Sequence, residues 1–233
     1  MPSLARRLTA EAIGTFGLVF IGAAVVVVNG GFPNSGIGLL GIALAHAVVL
    51  SVMITATMTI SGGHLNPAVT VGLLVTRRID PVSAAAYIVT QLVAAVIAAF
   101  LVKLLLPLHA VQASMLGVPV IASSVSLGQA IGIELVLTFF LVSAVFGTAV
   151  SPDAPRVGGF GIGLVLLFDI LVGGPLTGAA MNPARAFGPA IVAGAWVGHL
   201  VYWIGPIAGG LLAAILWEKV LIPRTPPRRR RSD

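Results

Sequence analysis

Cysteine is absent from the 233-residue chain, and charged residues make up only 9% of it. Without thiols, disulfide frameworks, thiolate metal sites and cysteine catalysis are excluded. A soluble domain carries about a quarter charged residues, so the shortage of charge excludes an ordinary soluble enzyme or binding domain. Four histidines and seven carboxylates are scarce material for a metal centre. The sequence also contains no nucleotide-binding loop or catalytic triad, and we expect neither an enzyme nor a cofactor.

Long apolar runs dominate what is present, because 58% of the residues are hydrophobic and the mean hydropathy is +1.09. A helix needs about 20 such residues to cross a bilayer. The runs are interrupted by glycine and proline rather than by alternating polar residues, which favours helices over the strands of a membrane barrel. The sequence therefore predicts an all-α integral membrane protein with six transmembrane helices, at 12–28, 37–60, 82–107, 127–150, 157–175 and 198–217.

The net charge of +6 gives the orientation of these spans. In a soluble chain such an excess would suggest nucleic acid, but the apolar composition indicates a lipid bilayer instead. With six spans, eleven of the thirteen cations fall on one side, so the positive-inside rule places both termini in the cytoplasm. The basic tail at 223–233 either fixes this topology, which is the simpler role, or binds anionic lipid. Short termini without a targeting segment predict the cell (plasma) membrane.

Two further segments, 61–76 and 177–193, are apolar but too short to cross. Each contains Asn-Pro-Ala, a pattern typical of a helix start because asparagine is a strong N-cap and proline is favoured at the first helical position. We expect half-helices over 66–76 and 182–193. A half-helix of this kind is about 15 Å long, so one from each side would meet the other near the midplane. The motif residues are Asn66, Pro67 and Ala68 in one segment and Asn182, Pro183 and Ala184 in the other.

The two motifs also define an internal repeat. Each is preceded by two spans and followed by one, and Glu11 and Glu134 occupy matching places in the first span of each half. Three spans per half is an odd number, so the halves run in opposite directions and form an inverted repeat. The predicted organisation is a first repeat at 1–108, an external connecting loop at 109–126, a second repeat at 127–222 and the tail at 223–233.

Two helix N-termini that face each other place partial positive charge at the centre of a cavity, where it opposes the passage of cations and protons. We expect Asn66 and Asn182 to cap their helices through the side-chain oxygen and to point their amide N–H groups into the pore. A passing water then accepts hydrogen bonds from both amides, which orients it against proton hopping. This arrangement favours a pore for neutral solutes.

The segments SGGHLNPAVT and GGPLTGAAMNPARAFGPA, the paired glutamates and the order of the repeat resemble the major intrinsic protein family, the aquaporins, over nearly the whole chain. The resemblance implies a passive channel for water and small neutral solutes that excludes ions and protons. It also implies a homotetramer in the lipid membrane in which each protomer has its own pore.

Arg185 directly follows the second motif, and the resemblance identifies it as the arginine of the external constriction. Carried over by spacing, its partners are His46, Ile170 and Ala179. This set departs from the strict water pore, which has an aromatic residue at the second-span position and a histidine at the fifth-span position. It is similar to the tonoplast-intrinsic and ammonia-permeable types, and it implies that ammonia or hydrogen peroxide passes beside water. Two simpler interpretations stay open, a helix-interface role for His46 and plain packing for Ile170.

Two other functions remain as alternatives. Glycerol facilitators have an aspartate after the motif arginine and a cation four residues later, where this chain has Ala186 and Ala190; a glycerol or small-polyol facilitator is therefore the second choice. A gradient-coupled secondary transporter also uses inverted repeats with broken helices, but it couples its ions through carboxylates near the midplane. Neither motif here contains a carboxylate.

Four other polar residues need a role. We expect Glu11 and Glu134 to accept hydrogen bonds from the backbone of the half-helix loops, with a proton relay as the alternative. His64 either lines the cytoplasmic mouth or braces the loop before the first motif. Asp169 adjoins Ile170 but points about 100° away from it on a helix, and we expect it to pair at a helix interface.

Overall fold

The computed structural model describes residues 2–223, and the prediction of six membrane-spanning helices is confirmed there. The spanning helices are α1 (Leu4–Gly31), α2 (Gly38–Ser61), α4 (Pro81–Leu105), α6 (Leu127–Val145), α7 (Phe160–Thr177) and α9 (Val201–Leu216). Turns of π-helix at Phe146–Val150 and Trp217–Leu221 extend α6 and α9. The short helices are α3 (Pro67–Val75), α5 (Leu108–Ala113) and α8 (Pro183–Ala193), with 3-10 turns at Pro33–Ser35 and Met115–Gly117. Of the predicted tail, residues 224–233 lie outside the described part of the chain.

Helix α1 begins well before the apolar run that predicts it. The hydroxyl of Ser3 accepts a hydrogen bond from the Arg6 N–H at 3.4 Å and caps the helix. Arg6, Arg7 and Glu11 are therefore helical although they are charged. A hydropathy criterion detects only the part of a helix that lies in hydrocarbon, so it placed the start at residue 12 rather than at Leu4.

The external connection also differs from the loop expected at 109–126. It contains α5 and then a 3-10 turn in which Met115, Leu116 and Gly117 all have left-handed φ angles, of 49°, 58° and 69°. A Cβ atom at Gly117 would lie 2.9 Å from the Cα of Ala23 on α1. Only glycine therefore allows the turn to descend this close to α1.

The two halves of the fold interlock through their short helices. Within each half the first spanning helix packs against the second and the third, so that α1 contacts α2 and α4 while α6 contacts α7 and α9. Helices α2 and α7 join the halves. Each half-helix packs mainly on the third spanning helix of the other half, α3 on α9 and α8 on α4. Neither half could complete its core alone.

Small residues make these close approaches possible. A Cβ atom at Gly188 of α8 would collide with the carbonyl of Ala95 on α4. Gly205 and Gly209 are spaced G-x-x-x-G on α9, and a Cβ at Gly205 would lie 2.7 Å from the Cβ of Glu134 on α6. The backbone of α9 is therefore in direct contact with α6 beside the second half-helix loop.

Hydrogen bonds tie together the ends of the helices that the sequence assigns to the cytoplasm. Arg7 Nη2 on α1 donates to the hydroxyl of Ser83 on α4 at 3.1 Å. Arg78, after α3, donates to Glu218, after α9, at 2.7 Å. These cations of the predicted inner side therefore lie at the end of the bundle where α1 and α4 start and α9 finishes, as the positive-inside topology requires.

Candidate functional site: a solute pore

The two Asn-Pro-Ala motifs start the half-helices as their residue types predict. Asn66 Oδ1 accepts a hydrogen bond from the Ala68 N–H at 2.8 Å. Asn182 Oδ1 accepts from the N–H groups of Ala184 at 2.9 Å and Arg185 at 3.3 Å. Both asparagines have extended backbone, and a proline follows each at the first helical position. Capping by the side-chain oxygen leaves each amide nitrogen free for other partners.

Each asparagine amide reaches across to the opposite half. Asn66 Nδ2 donates to the Met181 carbonyl at 2.9 Å, and Asn182 Nδ2 donates to the Leu65 carbonyl at 2.9 Å. The expectation that the amide N–H groups point into the pore is therefore incomplete, because one N–H of each asparagine joins the two loops. Each amide carries a second N–H, and both asparagines line the central cavity. The same residues thus connect the halves and face the solute.

The residues before the asparagines have strained backbone. Leu65 and Met181 have φ angles of 52° and 49°, a left-handed conformation that costs a residue with a side chain about 1–2 kcal/mol. Their carbonyls are the ones that accept from the opposite asparagines. The cross-links therefore require a loop conformation that other contacts must stabilise.

Glu11 stabilises the loop before Asn66. Its side chain is fully buried, and its Oε1 accepts from the Ser61 hydroxyl at 2.7 Å and the His64 N–H at 2.9 Å. Its Oε2 accepts from the Leu65 N–H and from Gln91 Nε2, both at 2.8 Å. All four donors converge on one carboxylate, so Glu11 satisfies the backbone of the strained loop.

Glu134 does the same for the loop before Asn182. It is fully buried and accepts from the Thr177 hydroxyl at 2.7 Å and from the N–H groups of Ala180 at 3.0 Å and Met181 at 2.7 Å. Tyr202 donates its hydroxyl to the Thr177 carbonyl at 2.7 Å. Neither glutamate lines the central cavity. This geometry favours the supporting role over the proton relay.

The four constriction residues named from the sequence line one cavity with both asparagines: His46, Ile170, Ala179 and Arg185. Arg185 is 5% exposed, and its Nη1 donates to the Gly117 carbonyl at 2.7 Å. The left-handed turn of the external connection therefore holds the guanidinium in place. Sequence reasoning missed Gly117, because nothing in a glycine within an apolar loop shows that its carbonyl will meet Arg185.

His46 is oriented by two contacts. Its Nδ1 lies 2.9 Å from the Ile42 carbonyl, and since a carbonyl can only accept, Nδ1 carries the proton and Nε2 is left as an acceptor. A Cβ atom at Gly22 would lie 2.5 Å from Nε2. The imidazole therefore occupies space left by a glycine on α1 while it lines the cavity, which combines the pore role with the helix-interface role.

Most of the remaining pore wall is aliphatic and comes from α1, α2, α6 and α7, for example Leu50, Leu141 and Leu166. His64 lines the inner part of the cavity, and its Nδ1 lies 3.1 Å from the Thr70 hydroxyl. His64 therefore lines the cavity and also braces the loop before the first motif, so the two roles predicted for it are compatible. The polar side chains on this cavity are His46, His64, Asn66, Asn182 and Arg185.

The expected pairing of Asp169 is wrong for the described residues. The side chain is 1% exposed, and neither carboxylate oxygen has a hydrogen-bond partner there. It does not line the central cavity, although its neighbour Ile170 does. The side chain is buried in the bundle, but no donor among the described residues reaches its carboxyl group.

Comparison with known proteins gives one consistent family. The family model described as Major intrinsic protein matches residues 1–217. The chain is 45% identical over 222 residues to aquaporin TIP4-4 of Zea mays, which covers 91% of this chain and 85% of that protein. It is 44% identical over 229 residues to aquaporin TIP4-1 of Arabidopsis thaliana, and this match covers 96% of this chain and 89% of that protein.

A solved structure shows the same fold. The aquaglyceroporin from Plasmodium falciparum superposes with a TM-score of 0.81 at 24% identity, covering 94% of this chain and 97% of that one. At this level of identity the likeness concerns the fold alone.

Proposed function

The chain belongs to the major intrinsic protein family and is a passive channel for water and small solutes, not an enzyme; we propose that it also conducts ammonia and hydrogen peroxide while it excludes ions. The observation that carries this proposal is the composition of the outer constriction. Two of its four residues, Ile170 and Ala179, are apolar, so half of the constriction side chains form no hydrogen bonds.

The two polar residues of the constriction are each committed in part to the backbone. His46 uses Nδ1 on the Ile42 carbonyl and Arg185 uses Nη1 on the Gly117 carbonyl. A solute therefore meets one imidazole acceptor and the other N–H groups of one guanidinium. Water, ammonia and hydrogen peroxide each form hydrogen bonds of these kinds, and the aliphatic wall does not require a solute with further polar groups.

Exclusion of ammonium and other cations is supported by charge. Arg185 is buried beside the solute path, and a fixed charge in a narrow, poorly solvated opening repels cations. The two half-helix N-termini add partial positive charge at the level of Asn66 and Asn182. Nitrogen therefore crosses as neutral ammonia, and the proton stays behind.

The test is parallel stopped-flow measurement on proteoliposomes, with osmotic shrinkage for water and an internal pH indicator for ammonia. We expect wild-type ammonia flux well above that of empty liposomes, with a low activation energy and no need for an ion gradient. The double variant His46→Phe, Ile170→His should lose most ammonia flux and keep most water flux, because it adds bulk and polar contact at the constriction. Wild-type ammonia flux equal to that of empty liposomes would refute the proposal.

Glycerol and ion gradients separate the alternatives in the same vesicles. We expect glycerol flux far below water flux, since Ala186 and Ala190 stand where glycerol facilitators carry charged residues. Flux that requires a sodium or proton gradient would indicate a coupled transporter instead.

We also propose a homotetramer in the plasma membrane with both termini in the cytoplasm. The membrane-crossing helices carry many exposed aliphatic side chains, including Leu40, Val93 and Val172, which either lipid or a second protomer covers. The similar plant proteins are of the tonoplast-intrinsic type, so the membrane needs its own test by cell fractionation. Mass measurement in detergent gives the number of protomers.

A further inference from the structure

A second polar cavity lies at the cytoplasmic end of the bundle, beside the pore. It is a half-open pocket of about 360 Å³ and is called the inner cavity below. Its wall comes from the starts of α1 and α4, the end of α2 and the turn after α3, and its chemically important side chains are Arg7, His64, Arg78, Asp80 and Tyr87. Two arginines on one small cavity in a chain with 9% charged residues require an explanation.

Arg7 is held in place but is not fully satisfied. Its Nη2 donates to the Ser83 hydroxyl at 3.1 Å, and its guanidinium carbon lies 5.9 Å from the centroid of the Tyr87 ring. Its Nε is buried and has no acceptor among residues 2–223. Because Nε is shielded from the inner cavity, an oxyanion there would bind the terminal nitrogens of the Arg7 guanidinium, of which only Nη2 has a protein acceptor.

Arg78 is fixed on another part of the same wall. Glu218 accepts from its Nε at 3.2 Å and from its Nη2 at 2.7 Å, and its guanidinium carbon lies 5.9 Å from the centroid of the Phe146 ring. Glu218 does not engage Nη1. Two guanidinium groups held by other contacts lose little side-chain entropy when they bind an oxyanion.

The electrostatic surroundings also favour an anion. Helices α1 and α4 both begin at the inner cavity, and helix N-termini attract negative charge. The carboxylate on the wall is Asp80, whose Oδ1 accepts from the Ser83 N–H at 2.9 Å. Hydrogen bonds from Ser83 lower the pKa of Asp80, so it stays ionised. Asp80 and Glu218 together balance the charges of Arg7 and Arg78, so the positive potential that remains at the cavity comes from the two helix N-termini.

We propose that the inner cavity binds a phosphate group between Arg7 and Arg78, supplied by an anionic lipid headgroup of the cytoplasmic leaflet or by free phosphate. Guanidinium groups bind phosphate oxygens through paired hydrogen bonds, and both sources present such oxygens. The site does not depend on which solutes the pore conducts. His64 lies on the wall of both the inner cavity and the pore, so a bound phosphate lies beside the inner end of the solute path and slows entry there.

Neighbouring arginines give matched controls. Arg6 and Arg77 have the same charge one residue away, are exposed and do not line the inner cavity. The purified full chain is titrated with inorganic phosphate by calorimetry at constant ionic strength. We expect saturable binding that Arg7→Gln weakens at least tenfold, that Arg7→Lys weakens less and that Arg6→Gln leaves unchanged. If Arg7→Gln does not elute as the folded protein, Arg78→Gln with Arg77→Gln as its control takes its place.

The lipid source is tested by native mass spectrometry with phosphatidylglycerol and, for comparison, zwitterionic phosphatidylcholine. Retention of phosphatidylglycerol that is lost in Arg7→Gln, without binding of inorganic phosphate, supports the site and assigns it to lipid. Saturable binding of inorganic phosphate assigns it to the free ion. Binding of neither ligand overturns the proposal, as does an equal loss in Arg6→Gln and Arg7→Gln. Water flux that phosphate does not slow, in a protein that binds it, overturns the effect on the pore.

Discussion

The two half-helix loops have the same framework but different surroundings. In both, a buried glutamate accepts hydrogen bonds from two backbone N–H groups and from one hydroxyl, that of Ser61 or Thr177. A tyrosine on the third spanning helix of each half, Tyr87 or Tyr202, donates to the backbone carbonyl of that same serine or threonine. In the inner loop His64 contacts Thr70, and Gln91 bridges Thr70 and Glu11. In the outer loop Ala180 packs with Ala186 in an apolar cluster that includes Tyr202.

The inner loop therefore has more hydrogen bonds that stabilise it, whereas the outer loop has the charged side chain that faces the solute. Gln91 follows Tyr87 by four residues, whereas Pro206 follows Tyr202 by four, so Glu134 lacks the fourth donor that Glu11 has. Three residues after Asn182 the outer half has Arg185, which lines the solute path. Three residues after Asn66 the inner half has Val69 instead. The inverted repeat thus provides one scaffold, and our proposal that the outer loop discriminates between solutes rests on the residues that differ between the halves.

The largest expected effect comes from removal of the paired glutamates. Glu11→Leu removes four hydrogen bonds from buried donors and Glu134→Leu removes three. In each variant two backbone N–H groups lose their acceptor, whereas the hydroxyls and Gln91 Nε2 keep a longer second bond. At about 1–3 kcal/mol for each orphaned donor, both variants should lose most of the folded protein, and Glu11→Leu should be the worse. Thermal unfolding and gel filtration in detergent measure this. A milder effect for Glu11→Leu than for Glu134→Leu would contradict the comparison.

Arg185→Val tests the assignment of selectivity to the outer half. Removal of the charge and of its bond to Gly117 should admit larger neutral solutes such as urea several times faster and allow a cation leak. Val69→Ala, at the equivalent inner position, is the control and should leave the solute range unchanged. Stopped-flow urea uptake and potassium leak assays provide the measurement. Unchanged selectivity in Arg185→Val would remove this residue from the constriction.

Gln91→Leu makes the inner loop more like the outer one. The variant removes the Gln91 bonds to Glu11 and Thr70 and should lower the free energy of unfolding by about 1–2 kcal/mol, the order expected for the loss of one or two hydrogen bonds. Thermal unfolding of the variant and of wild type in the same detergent measures this difference. Equal stability of the two proteins would show that the Gln91 bonds contribute little.

The smallest expected effect is a pH dependence of stability at His199, just before α9. Trp203 Nε1 donates to His199 Nε2 at 3.1 Å, which requires a neutral imidazole, and burial lowers the pKa of His199 below its ordinary value of 6.5. The unfolded chain then binds more protons than the folded one, so this contribution to stability is complete above pH 6.5 and falls as the pH drops below it.

Tryptophan emission between pH 5 and 8 should report this change. The ring of Trp196 packs edge-on against His199, and Trp203 donates a hydrogen bond to it. His199→Gln should abolish the dependence. His109→Gln, at an exposed histidine of the external connection, is the matched control and should retain it. A pH response that survives in His199→Gln would assign it to another group.

Several features follow from residue type and spacing. Apolar length predicted the six spans, and Asn-Pro placed the half-helix starts because capping chemistry is local. The starts of α1 and α5 were missed, since charged or short helical segments lack a hydropathy signal. Gln91 could have been noticed as an amide within a span. Asp169 was given a partner that the interface does not supply, because a sequence shows which residues are polar but not whether a donor faces them.

The sequence by itself determined the membrane environment, the inverted repeat and the chemistry at the two motifs, since each depends on local composition or on the parity of spans. Only the tertiary structure decided that each asparagine bonds the opposite loop, that α3 packs on α9 and α8 on α4, and that the Gly117 carbonyl holds Arg185. These contacts join residues far apart in the chain, and their geometry depends on how closely glycine and alanine let the helices approach.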